Sequence, residues 1–113
     1  MAFDDVLAER VRGALADAPD LAERKMFGGI AFMVSGHMAC GVLGDDLMVR
    51  LGPEGAARAL RAPHVRPMDF TGRAMTSMVF VEAAGLGDDA DLGRWVGAAR
   101  DFVATLPPKP PRR

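Results

Sequence analysis

The chain has a single cysteine, Cys40, so it can form no internal disulfide and no thiolate metal cluster. A lone thiol suits a reducing cytosol. There is no tyrosine, one tryptophan and no excess of either charge: 14 Lys and Arg stand against 15 Asp and Glu. A nucleic-acid binder of this size carries a clear basic surplus, so direct nucleic-acid binding is not expected. No stretch approaches the roughly 18 consecutive apolar residues of a membrane span. The opening Met1-Ala2-Phe3-Asp4-Asp5 is acidic where a secretory leader would be basic. With two histidines 27 positions apart and no His/Asp/Glu grouping at ligand spacing, neither metal nor cofactor is expected. The expectation is a soluble, cytoplasmic protein.

What is present is enough for one domain. The 113 residues are 50% apolar and 26% charged, an ordinary globular balance with material for a real core. The charge is segregated along the chain. Met1 to Glu23 holds six acidic and two basic residues, Leu47 to Arg73 holds five arginines against Glu54 and Asp69, and Glu82 to Asp101 is acidic again.

Periodicity predicts a helix from about Asp4 to Ala18, with Leu7, Val11, Ala14, Leu15 and Ala18 on one face and Pro19 as its stop. Three strands follow: about Lys25 to Val34, His37 to Leu43, and Leu47 to Leu51. Their short joints, Ser35-Gly36 and Gly44-Asp45-Asp46, make an antiparallel meander. Gly52-Pro53-Glu54 opens a short helix to about Leu60 or Arg61. Ala62 to Met75 reads as irregular, with a brief strand at Met68-Asp69-Phe70, and Thr76 to Glu82 is a further strand. The last helix runs from Asp88 or Asp89 to Thr105, with Leu92, Trp95, Val96, Ala99, Phe102, Val103 and Leu106 on one side. Pro107 to Arg113 cannot continue it and reads as a mobile extended tail. The reading is an α+β domain over residues 1–106: a two-layer fold with helices on an antiparallel sheet of four to five strands.

Within this frame one block stands out, Arg24-Lys25-Met26-Phe27-Gly28-Gly29-Ile30-Ala31-Phe32. Two adjacent glycines inside a strand are costly and point to a bulge or a close backbone approach. The same block carries a resemblance. Lys25-Met26-Phe27-Gly28-Gly29, Phe32 four positions past Gly28, Gly36 at a turn and Leu47-Met48-Val49-Arg50-Leu51 resemble the N-terminal domain of the TfoX/Sxy competence-regulator family. Met75 and Phe80 in the late strand, and Leu92, Trp95 and Ala99 in the last helix, match it too. The resemblance covers nearly the whole chain up to about Leu106. It implies a stand-alone, non-enzymatic regulatory or protein-interaction domain, without the family's second, helical domain.

The chemical candidates are few. Cys40 with His37 or His64 would make a thiol and base, but Cys40 alternates with Met38 and Val42 as a core residue and His37 reads as solvated beside its turn. Gly28-Gly29 leads into a strand rather than a helix, unlike a phosphate-cradling loop. Arg50, Arg58, Arg61, Arg66 and Arg73 could form an anion-binding patch, the basis of an alternative reading as a small-ligand domain. The sheet is more telling. Met26, Ile30, Phe32 and Val34 fall on one face of the first strand, and Phe27, Ala31 and Met33 on the other. In the third strand Leu47, Val49 and Leu51 oppose Met48 and Arg50. A sheet with one wet face should alternate with polar residues, and this one does not. Phe27, Met33 and Met48 are therefore candidates for an interface with a protein partner, including a second copy of the chain.

Overall fold

The computed structural model describes residues 4–26, 28–70 and 73–107. Asp4 caps the first helix, α1 (Asp5–Ala14): its carboxylate accepts from the Val6 and Leu7 amides at 2.8 and 3.1 Å. The helix ends four residues earlier than its apolar stripe suggested, and Leu15 and Ala18 still pack on the core from the following turns. Four strands come next, β1 (Ala22–Met26), β2 (Gly29–Val34), β3 (His37–Leu43) and β4 (Asp46–Arg50). Helix α2 (Gly52–Ala59) then leads to β5 (Val65–Phe70) and β6 (Arg73–Val81). A 3₁₀ turn at Ala83–Leu86 precedes α3 (Asp89–Ala104), whose cap Asp88 accepts from the Asp91 amide.

All six strands form one antiparallel sheet in the order β1-β2-β3-β4-β6-β5. The expected α+β architecture holds with two more strands than the four that read clearly. Both additions are edges. The predicted single strand from Lys25 to Val34 is in fact two antiparallel strands: Met26 pairs with Gly29, and Gly28 before it has φ 78°. The two glycines are explained separately. Gly28 supplies the positive φ, and Gly29 leaves room for the Val42 carbonyl, which a β-carbon there would strike. Of the two expectations for this block, a bulge or a close backbone approach, Gly29 shows the close approach, and the register shift lies further on, between Phe32 and Met33. The segment from Val65, read as irregular apart from Met68 to Phe70, pairs along β6 with a register shift at Pro67/Asp69.

The main core lies between the sheet and all three helices. Phe32, Cys40, Val42, Leu47, Val49, Val79 and Val81 contribute from the strands, Leu7 and Val11 from α1, Ala56 and Ala59 from α2, and Leu92, Val96, Ala99 and Val103 from α3. Helix α3 sits between the other two. Arg10–Asp89 and Arg100–Asp17 ion pairs tie it to α1 and the turn after it, and Phe102 packs against Gly52 at the start of α2.

Candidate functional site

Because all three helices share one face, the other face of the sheet is where the chain's unusual composition must be explained. Paired positions run across it from edge to edge: Arg24, Ala31, Gly41, Met48, Phe80, Arg66. Met48, Met78 and Phe80 form a second, smaller core cluster there, and Met38 and Leu43 pack against it. None of these residues comes from a helix. Met33, Met38 and Leu43 are half-buried, whereas Met48 is only 4% exposed.

The expected interface residues therefore part company. Met33 is at the partly open side of the face and Met48 is inside it, while Phe27 lies outside the described residues. Sequence alternation placed Met48 and Met33 on one face but did not foresee that Met48 would fill the space over Gly41. A β-carbon on Gly41 would lie 2.7 Å from Met48 Cε. Of the other motif residues, Phe32 is fully buried, Trp95 packs partly buried against the main core, Lys25 is exposed on the β1 edge, and the Met26 side chain is not described.

The four of the five arginines whose side chains are described are not gathered into one site. Arg66 lies over the Phe80 ring at 4.7 Å and is ion-paired with both Asp46 and Glu82. Burial nevertheless holds the Asp46 carboxyl above its usual range, outweighing the pull of Arg66. Arg50 lies 5.8 Å from the Phe102 ring, Arg58 and Arg61 are exposed at the C-terminal end of α2, and the side chain of Arg73 is outside the described residues.

The thiol candidate is also dispersed. Cys40 is fully buried on the helix side of β3, and desolvation pushes its thiol up to about 12, the opposite of an activated nucleophile. His37, expected in solvent, is 8% exposed: its Nε2 donates to the Pro107 carbonyl at 2.6 Å, which ties the β2–β3 hairpin to the chain beyond α3. His64 is exposed, with φ 67°, and its carbonyl accepts from the Glu82 amide. Among the described residues no hydrogen bond joins Cys40 to either histidine. No three or more His, Cys, Asp and Glu among them converge as metal ligands, and no helix is long and apolar enough to cross a membrane.

The chain, a six-stranded antiparallel sheet with its helices on one side, can be compared with known families. The model of the TfoX N-terminal domain matches residues 13–103, from within α1 to within α3. The chain belongs to the TfoX N-terminal domain family. This is a regulatory-type domain family rather than one known for enzymes. The matched range contains the Gly28-Gly29 step, whose physical content is a positive φ at Gly28 and a close approach of Gly29 to the Val42 carbonyl. No curated protein and no solved structure matches the chain.

Proposed function

We propose that this TfoX N-terminal domain is a non-enzymatic regulatory module of the cytoplasm that self-associates through the helix-free face of its sheet. The observation that carries the reading is that face itself: an apolar layer of Met38, Leu43, Met48, Met78 and Phe80 with no helix packed on it, and half-open at Met33, Met38 and Leu43. Methionine-rich surfaces adapt well to a partner.

The sheet's edges favour a face contact over strand addition. β1 carries Glu23, Arg24 and Lys25, and β5 carries Pro67 with a register shift beside it, both devices that discourage edge pairing. Charge supports a second copy as partner. Arg24 has no carboxylate partner among the described residues, while the opposite side of the face holds Asp46 and Glu82 against Arg66. A two-fold along the strands would lay β1 of one copy over β5 of the other, bringing Arg24 into line with Arg66 and to the edge that carries its two carboxylates.

Sedimentation velocity across a concentration series tests this with Arg24→Glu and Met38→Glu beside the wild type. Concentration-dependent dimerisation weakened by both changes, with the circular dichroism spectrum unchanged, supports the reading. A wild-type chain that stays monomeric throughout removes it.

A further inference from the structure

Five arginines among the described residues are ion-paired within the chain. Arg10, Arg12, Arg66, Arg94 and Arg100 each hold a carboxylate. The arginines around α2 do not: Arg50 before it, and Arg58 and Arg61 at its end, have no carboxylate partner among the described residues. Beside them runs a groove of about 390 Å³ between α2 and α3. Gly55, Ala59 and Ala62 line it from the α2 side, Trp95 and Ala98 from α3, and Arg58 stands among them. Leu60, at the end of α2, is 42% exposed; only Val6 joins it among the large apolar side chains exposed in the described residues.

Each feature selects for the same occupant. A wall of small side chains lets a backbone come close, and the half-buried indole of Trp95 gives an apolar anchor a flat surface to pack on. The Trp95 indole N–H has no hydrogen-bond partner among the described residues, so a donor is available in the groove lining beside the Arg58 guanidinium. Unpaired arginines beside an apolar groove recognise carboxylates by bidentate hydrogen bonds. Of the acidic residues of α3, Asp91 is engaged with Arg94 and Asp89 with Arg10, and neither Asp101 nor Glu54 of α2 forms an ion pair with these arginines among the described residues.

We infer that the α2–α3 groove is a docking site for an acidic, amphipathic segment of another protein, which lays an apolar side chain against Trp95 and its carboxylates on Arg58 and Arg61. This surface is on the helix side of the sheet, opposite the proposed self-association face, so both contacts can be made at once.

Trp95 is the only tryptophan and there is no tyrosine, so the site carries its own fluorescence reporter. The probes are two synthetic amphipathic helical peptides with the same leucine stripe, one with glutamates between the leucines and one with lysines. The Glu peptide is expected to shift Trp95 emission and to bind at least about tenfold more tightly than the Lys peptide, with the preference weakening as salt rises. Arg58→Glu with Arg61→Glu should reverse the order of the two peptides, and Ala98→Trp, which fills the groove, should remove both. Met38→Glu should leave binding unchanged, which separates this site from the sheet face. Equal binding of the two peptides, or no emission change up to about 1 mM, overturns the inference. So does self-association of the wild-type chain that the arginine changes abolish, because the groove would then belong to a second copy.

Discussion

The side chain of Met48 occupies the place that a β-carbon on Gly41 would need. The two residues face each other across β3 and β4, and that carbon would lie 2.7 Å from Met48 Cε and 2.6 Å from the Ile30 carbonyl oxygen. The methionine can move, but the backbone carbonyl cannot move cheaply. Gly41→Ala is therefore expected to destabilise the fold by about 1–3 kcal/mol, the range for an overpacked interior. Chemical denaturation of the purified variant measures it. A compensating Met48→Ala should recover only part of the loss, since it leaves the Ile30 clash in place.

Gly93 and Gly97 give the opposite expectation. Both stand inside α3, and a β-carbon at either would meet nothing within 4 Å. Neither has a positive φ. Gly93→Ala and Gly97→Ala should each stabilise the chain by about 0.5–1 kcal/mol, through helix propensity alone. Thermal unfolding should show a higher Tm for each, and an additive gain in the double variant only if the four-residue spacing introduces no new contact.

Cys40 should be chemically silent while the chain is folded. Burial pushes its thiol up to about 12, so the thiolate that reacts with disulfides and alkylating agents is scarce at neutral pH. Alkylation by iodoacetamide at pH 8 is expected to be slow in buffer and fast in denaturant. The labelling rate should track global unfolding. Rapid labelling without denaturant would show that β3 opens locally.

Acid should loosen the tie between α1 and β1. Arg12 holds Glu23 across the two elements and also Glu9, and its hydrogen bonds to Glu23 keep that carboxyl below its usual range. Asp17 is lowered in the same way by Arg100. A carboxyl whose folded pKa is depressed contributes stability above its unfolded value, and that contribution is lost as pH falls through the folded one. Stability should thus decline below about pH 4.5, the unfolded glutamate range. Glu23→Gln should flatten part of this decline while changing stability at pH 7 by about 0.2–1 kcal/mol, as expected for an exposed pair. Asp46 opposes the trend, because burial raises its carboxyl and protonation there favours folding.

How much of this could be read from sequence depends on what kind of signal each element sends. Helix α3 and strand β3 were fully legible, because an amphipathic stripe and turn residues on both sides bound them. The edges were not. β1 reads Ala-Glu-Arg-Lys-Met, and a strand that keeps its outer edge charged to avoid pairing loses the alternation by which strands are found. β5 contains Pro67, which sequence rules treat as a breaker but an edge strand tolerates. The Gly28-Gly29 step announced a backbone peculiarity without saying which, since a turn, a bulge and a close crossing all call for glycine. His37 was placed in solvent because it follows a turn, and nothing in its neighbourhood says that Pro107, 70 residues later, returns to accept from it. Alternation separated Ile30, Phe32 and Val34 from Ala31 and Met33, but Met26 falls on a different strand, β1, and Phe27 lies outside the described residues. Which methionines on the second face are covered is decided by partners on other strands, and the one-dimensional pattern does not contain them. The scattered arginines failed as a single patch for the same reason: Arg66 is neutralised by Asp46 and Glu82 from two other parts of the chain.

The central claim is that the helix-free face joins two copies of this domain. Sedimentation velocity of the wild type from about 10 µM to about 1 mM, where weak interfaces become populated, tests it most directly when run beside Arg24→Glu. The account predicts a monomer–dimer shift within that range and a weaker one in the variant. A single monomeric species at every concentration would contradict it.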